Sequence, residues 1–306
     1  MQALFARVFG HPMSDALWQW KYGNGRGHAI GVWNEHGQLI AHYAGFRRAV
    51  LNAGQAVDAV QIGDVMVEKT SRAINLGRRG AFFQAAARFL ESYIGYGKPY
   101  LIGFGFPNAR AMRVAARLGL YADTGGLSQV TWPVAVNAPP PLGIELREIA
   151  AVDDPLWIAV DPLWAGMRLE LRDAIVGVRD ADWLRHRYLA HPDRPYRVGI
   201  AMTQSGEPIG IIVLRAQGGI VEWMDVIGTT VTLPALVAQA RWSAATMGGN
   251  TLMMWVSHPF AGEFARHGGT ATELDVRIPC NVWSPGPDAS GLRDRWFLLG
   301  GDTDFR

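Results

Sequence analysis

Gln61-Ile62-Gly63-Asp64-Val65-Met66-Val67-Glu68, then Gly77-Arg78-Arg79-Gly80-Ala81, then Gly103-Phe104-Gly105-Phe106-Pro107-Asn108, is the stretch on which the reading of this chain turns. Its first segment is an apolar strand candidate. Ala81 to Tyr96 has helical spacing, with Phe82, Ala85, Ala86, Phe89 and Ile94 on one apolar stripe. Leu101 to Phe106 is a second short apolar strand, and Ala109 to Leu118 returns to helix, stopped by Gly119. A strand that passes through glycines into a helix presents unpaired backbone N–H groups at the helix start, and two arginines beside them suit a phosphate ester. Gly103 and Gly105 share one side of their strand, which leaves that face without side-chain bulk. Asn108 is placed to cap the helix after Pro107.

Upstream, helix candidates around Ala3 to Phe9 and Asp15 to Tyr22 precede strands at Ala29 to Asn34, Leu39 to Phe46, Val50 to Leu51 and Val57 to Glu68. Glu35-His36-Gly37 and Asn52-Ala53-Gly54 read as hairpin turns, so these strands form an antiparallel meander. Downstream, Asn137-Ala138-Pro139-Pro140-Pro141 favours a stiff extended connection that cannot continue a sheet. The expected division is therefore a first domain over residues 1–137, a proline-rich linker over 138–143 and a second domain over 144–306.

The second domain repeats the element order of the first. Asp180 to Tyr188 echoes the segment from Trp18 to Tyr22, and Tyr196 to Thr203 and Ile209 to Arg215 flank the turn Ser205-Gly206-Glu207-Pro208. Val221 to Ile227 contains Asp225-Val226, an echo of Asp64-Val65. A helix from Leu233 to Met247, a strand from Thr251 to Ser257 and a helix ending at Arg266-His267-Gly268 complete the parallel. The glycine-arginine loop has no counterpart there; Gly228-Thr229-Thr230-Val231-Thr232 stands in its place. The fold class expected is α/β, of the α+β mixed-sheet kind, in two tandem copies of which the second is degenerate.

At 306 residues and 49% hydrophobic composition the chain can bury two cores. A formal charge of +2 gives no field that favours nucleic acid or anionic lipid. The single Cys280 excludes an intrachain disulfide and has no assignable His-Asp partner for nucleophilic catalysis, while His28, His36 and His42 lack a compact ligand motif, so no metal is expected. No apolar run reaches membrane-spanning length and the first residues do not read as a leader, so a soluble cytoplasmic protein without membrane insertion is the simplest expectation. Oligomerisation is left open. Most tryptophans, Trp157, Trp164, Trp183 and Trp296 among them, read as core or domain-interface packing. Arg185, His186, Arg187 and His191 form either an anion-attracting cluster or an exposed helix face, and Asp302 and Asp304 could edge a cleft.

The strand, loop and helix segments resemble the GNAT superfamily of N-acetyltransferases, the first domain closely and the second in outline. The resemblance implies that Met66, Val67 and Glu68 bind the pantetheine arm of an acyl-CoA. It further implies that Gly77, Arg78, Arg79, Gly80 and Ala81 hold its pyrophosphate. Asn108, Ala111, Gly119 and Leu120 match a second family pattern. The donor it implies is acetyl-CoA or another acyl-CoA, and the acceptor is an amine or hydroxyl of a small metabolite or sugar-like molecule.

The chain also departs from the family. The family loop reads Arg or Gln, two residues, Gly, one residue, Gly or Ala, where this chain has Gly77, Gly80 and Phe82. The family's thiolate-protonating tyrosine, seven positions after the capping asparagine, is here Ala115. Candidates for catalysis are Asp64, His42 and Tyr43. Asp64 lies in an apolar strand and is either a hydrogen-bonded anchor or a poised base. His42 and Tyr43 occupy opposite faces of a neighbouring strand, and either could face an acceptor. The expected activity is N-acetyl transfer, and the alternative, favoured by Ala115 and Phe82, is a GNAT-fold ligand-binding or assembly protein without turnover.

Overall fold

The computed structural model describes residues 1–69, 77–135 and 137–305. Residues 70–76, Val136 and Arg306 lie outside the described residues. Two left-handed residues, Ala53 at φ 49 and Gly54 at φ 74, form the tight turn between strands β2 (Leu39–Asn52) and β3 (Gln55–Val67). Backbone of that hand matches the twist of a hairpin, so the segments expected at 39–46 and 50–51 join into one long strand. Strand β1 (Gly27–Trp33) runs antiparallel to β2, from Gly27 opposite Phe46 to Val32 opposite Ala41. Helices α1 (Gln2–Phe9) and α2 (Asp15–Tyr22) precede it; Ser14 caps α2 by accepting from the Leu17 amide.

Helix α3 (Ala81–Tyr93) buries Ala85, Ala86 and Phe89 as its apolar spacing requires. It ends at Tyr93 rather than Tyr96 because the chain turns at Gly95, φ 130, where a Cβ would stand 2.3 Å from the Pro285 carbonyl oxygen. Strand β4 (Ile102–Phe104) then lies parallel to β3, and helix α4 (Ala109–Arg117) follows, capped by Asn108 through the Ala111 amide and ended at Gly119 with φ 79. Strand β5 runs from Tyr121 to Pro133.

The chain forms two compact units. The first comprises Met1–Val50, Ala56–Gly125 and Asp275–Arg293; the second comprises Leu51–Gln55, Gly126–Leu274 and Asp294–Arg306. The division thus falls within β5 and not at the prolines near 137, and a late segment of the chain returns to the first unit. The physical reason is that β12 (Thr270–Asn281) pairs with β5, so its end lies among first-unit residues. Thr124 donates to the Ile278 carbonyl at 2.9 Å, Arg277 meets Asp123 at 2.8 Å, and the Trp283 indole donates to Glu91 at 2.9 Å. The first core gathers Tyr43, Val60, Phe89, Leu90, Ile94 and Ala115.

In the second unit, β6 (Ile144–Glu148), β8 (Arg197–Thr203), β9 (Pro208–Gln217) and β10 (Ile220–Ile227) are antiparallel neighbours. Helix α5 (Val160–Glu170), β7 (Ile175–Gly177) and α6 (Ala181–Leu184) lie between β6 and β8 in sequence. Helix α7 (Leu233–Thr246) leads to β11 (Thr251–Ser257), parallel to β10, and to α8 (His258–Ala265). The short helix α9 (Ala289–Leu292) precedes β13 (Trp296–Phe297), which pairs with β7 rather than joining the sheet of β8 to β11. Each half therefore has an antiparallel meander followed by strand, helix, parallel strand and helix, in mixed sheets.

The second core holds a fully buried ionic cluster. The Arg179 guanidinium donates to Asp225 at 2.8 Å and to Asp302, and the Tyr188 hydroxyl donates to the other Asp225 oxygen at 2.8 Å. Asp302 is accordingly an interior group and not the edge of a cleft. The cationic cluster at 185–191 is resolved in the same way. Arg187 is buried and donates to the carbonyls of Gly301 and Thr303, and Arg185 stacks over Trp157 at 4.6 Å, so neither arginine is an uncommitted anion receptor. Removing a partner from a buried ionic group strands the remaining charge. Arg179→Met is expected to lower stability by about 3–5 kcal/mol, measured by urea unfolding.

Candidate functional site

Strands β3 and β4 are registered over three pairs, Ala59 with Ile102, Val60 with Gly103 and Gln61 with Phe104. Beyond them the partners diverge: β3 continues to Val67, while the other chain turns at Pro107 into α4. A fork opens between two parallel strands. Gly105 sits at its base, where a Cβ would stand 3.2 Å from the Ile62 carbonyl oxygen. The face of Gly103 is not bare, as its position on the strand suggested. A Cβ there would stand 2.6 Å from the Ile94 side chain, which occupies the space.

Asp64 shapes the free arm of the fork. It is a non-glycine residue at φ 49, in the left-handed region that a strand residue rarely enters. Its carboxylate accepts from Lys21 Nζ at 2.9 and 3.0 Å and from the Tyr22 hydroxyl at 2.5 Å. The Lys21 and Asp64 side chains are 4% and 6% exposed, so this is a buried ion pair with a third hydrogen bond, the geometry of an anchor. The next alternate side chains go the same way. Met66 packs with Leu4, Phe5 and Met13, and Glu68 pairs with Arg7 of α1 at 2.7 Å. With both side chains committed to the N-terminal segments, what the Met66 to Glu68 stretch can offer a ligand is its main chain. The Glu68 amide itself donates to the Ile40 carbonyl on β2.

His42 and Tyr43 separate to opposite faces of β2. The His42 Nδ1 lies 2.9 Å from the Asp64 carbonyl oxygen, and its ring meets that of Tyr22 edge-on. A carbonyl only accepts, so Nδ1 carries the proton and Nε2 presents a lone pair. Burial, which outweighs the Asp64 carbonyl bond and the Asp64 charge, lowers the His42 pKa and favours the neutral ring. Tyr43 faces α3, with its ring 5.1 Å from that of Phe89 and 6.4 Å from that of Phe82. Phe82 therefore points into packing and not toward the loop. The Tyr43 hydroxyl is hydrogen-bonded to that of Tyr121, and the two line a narrow cavity at the fork base with Ile62, Gly103, Pro279 and Asn281. Burial raises both phenol pKa values, so both keep their protons at neutral pH.

At the far end, Gly77 at φ 89 accepts from the Gly80 amide at 3.1 Å, a turn that delivers the chain to α3. No side chain caps that helix. Its first amides and the positive end of its dipole are therefore left without a side-chain partner at Ala81. The Arg78 guanidinium stacks over Trp283 at 5.4 Å and Phe83 at 5.8 Å, and the Arg79 carbonyl accepts from Gln84 at 2.9 Å. Asn108 is spent on its cap, and its neighbour Ala109 donates to Asp275 at 3.2 Å. Ala115 is buried in the first core. Cys280 is buried as well, and burial pushes its thiol up to about 11. Among the described residues, no group of three or more His, Cys, Asp or Glu side chains comes together as a metal site.

The structure thus gathers Asp64, His42 and Tyr43 around the fork, and groups Gly77 to Ala81 at one helix start. Trp283 and Tyr121 were not foreseen. The first comes from the returning segment, which no local pattern connects to Arg78. The second opens a strand, where a tyrosine reads as packing.

The family model described as the acetyltransferase (GNAT) domain matches residues 1–119, so the first part of the chain is a GNAT domain. Among solved structures, the whole fold is similar to a probable N-acyltransferase from Enterococcus faecalis, at 13% identity and TM-score 0.67, covering 92% of this chain and 69% of that one. A GCN5-related N-acetyltransferase from Anabaena variabilis is similar at 12% identity and TM-score 0.66, with the same coverage of 92% and 69%. The N-myristoyltransferase of Saccharomyces cerevisiae, solved with bound myristoyl-CoA, is similar at 11% identity and TM-score 0.55, covering 84% of this chain and 70% of that one. At such identities the likeness is one of fold, and the fold is that of tandem GNAT proteins. Comparison with curated proteins gives no match. No described helix is long and apolar enough to cross a membrane.

The anchor geometry makes a specific demand on Asp64. Asp64→Asn is expected to cost about 3–5 kcal/mol in urea unfolding by stranding Lys21, and Tyr22→Phe about 1.5–3 kcal/mol. A neutral effect of Asp64→Asn on stability would be inconsistent with an anchor.

Proposed function

We propose that the first unit is an acyl-CoA-dependent N-acyltransferase, with acetyl-CoA as donor and a primary amine of a small molecule as acceptor. The observation that carries this reading is the pairing, in one unit, of the strand fork beyond Gln61 with the uncapped start of α3, where Arg78 is braced over Trp283. Pantetheine amides would add to the backbone edge of β3 around Met66, Val67 and Glu68. The pyrophosphate would take the first amides of α3, from Ala81 onward, and the charges of Arg78 and Arg79, while the Gly80 amide holds the turn through the Gly77 carbonyl. Ile94 fills the space over Gly103 and the paired phenols close the fork base, which disfavours a long acyl chain there.

The two faces of β2 divide the proton transfers. The acceptor nitrogen attacks the thioester carbonyl carbon, a C–N bond forms, and the tetrahedral intermediate collapses as the C–S bond breaks. His42 Nε2 takes the proton from the nitrogen on one face. On the other, Tyr121, hydrogen-bonded to Tyr43, gives a proton to the departing thiolate in place of the phenol missing at Ala115. Asp64 positions His42 through its carbonyl and does not itself exchange a proton. A second reading, donor binding without turnover, draws on the burial of Ala115.

Calorimetry with acetyl-CoA is expected to show binding by the wild type and none by Gly80→Trp, whose side chain blocks the phosphate approach; a wild type that does not bind removes the donor site. Tyr121→Phe is expected to leave acetyl-CoA affinity unchanged and lower kcat about 100-fold. Binding with no transfer to any amine of a broad panel would favour the second reading. Because burial disfavours imidazolium, the acid limb of kcat/KM attributable to His42 lies below pH 6.5, where protonation removes the base, and is absent from His42→Gln.

A further inference from the structure

The second unit repeats the fork with matching spacing. Strands β10 and β11 are registered over Ile220 with Thr251, Val221 with Leu252 and Glu222 with Met253, again three pairs. Asp225 follows the last pair at the interval by which Asp64 follows Gln61, and α8 starts as far beyond Met253 as α4 starts beyond Phe104. A cavity of about 440 Å³ lies in this second fork, within the range of small-molecule sites. Its apolar wall includes Met167, Val226, Leu233, Leu236, Phe260 and Phe297.

The polar end differs from that of the first unit. Where a helix start would receive an anion, the chain supplies its own: Glu170 Oε2 accepts from the Thr230 amide at 2.7 Å and from the Thr230 hydroxyl at 2.9 Å. The Thr229 amide is taken by the Thr232 hydroxyl at 3.1 Å. The other cavity charges, Glu263 and Arg266, are paired with each other at 2.8 Å. Glu170 is exposed and lines the cavity, and its Oε1 makes no hydrogen bond among the described residues, which leaves a carboxylate oxygen for a ligand at the polar end. Such a site repels a phosphate or a carboxylate and attracts a cation with an apolar body.

We propose that the second fork binds a hydrophobic primary amine, its ammonium on Glu170 and its hydrocarbon chain in the cavity. This site is independent of the donor reading, since none of its residues belongs to the first unit.

Calorimetry on the full chain with hexylamine, hexanoate and hexanol tests it. Hexylamine is expected to bind at least about tenfold more tightly than hexanoate. Glu170→Gln keeps a carbonyl for Thr230 and removes the charge, and is expected to abolish that preference. Gly262→Phe is expected to remove hexylamine binding without a loss of thermal stability, because Gly262 lines the cavity and a Cβ there meets no atom within 4 Å. Gly80→Trp is expected to leave hexylamine binding intact. No binding of hexylamine, equal binding of hexanoate, an unchanged preference in Glu170→Gln, or loss of binding in Gly80→Trp would each overturn the proposal. Should Gly262→Phe fail to fold, the Glu170→Gln comparison with hexanoate decides alone.

Discussion

A carboxylate held inside a strand just beyond a fork is the constraint on which both halves of this molecule depend. A charge in that position is costly unless partnered, and each half supplies a cation and a phenol: Lys21 and Tyr22 for Asp64, Arg179 and Tyr188 for Asp225. In the first unit the consequence reaches the backbone. With its side chain fixed from α2, Asp64 adopts φ 49 and turns its carbonyl to His42. One anchored residue thereby bends the free arm of the fork and sets the tautomer of the nearest imidazole. In the second unit the register against β9 slips between Trp223 and Asp225, and the Asp225 carboxylate also accepts from the Val226 amide.

Much of the fold could be read from local pattern. The stripe on α3, the Asn108 cap, the glycine stop at Gly119 and the hairpin turn at Ala53-Gly54 each follow from a few neighbouring residues, and each is present. The echo of Asp64 by Asp225 was legible for the same reason. What escaped was non-local. Three prolines mark a stiff segment, but they carry no information on which unit the strands around them join. The return of residues 275–293 to the first unit depends on β12 pairing with β5, across a sequence separation that no spacing rule spans.

The site shows the same division. The loop from Gly77 to Ala81 announced itself by composition, and Asp64 by the anomaly of a charge in an apolar strand. Whether Asp64 was anchor or base turned on Lys21, a residue with no local reason to be buried. Tyr121 and Trp283 carried no pattern at all. Their roles come from being brought to Tyr43 and to Arg78 by a strand and a returning segment that sequence order keeps apart.

The readings proposed for the two forks divide one architecture between opposite charges. From the last β3 pair at Gln61 to the start of α3 at Ala81 the chain has twenty steps; from Glu222 to the start of α7 at Leu233 it has eleven. The extra length in the first unit contains the glycines and arginines that leave a helix start open and positive. The shorter connection in the second brings Thr230 to Glu170, so the chain's own carboxylate satisfies the donors that would receive an anion. In each half an anchored aspartate accompanies the end of the parallel strand pairing. On the proposed readings the charge preference is set separately, by the connecting loop. On the readings proposed for the two forks, fold and ligand sign are independent variables, and a duplicated fork keeps a pocket while reversing the charge it accepts.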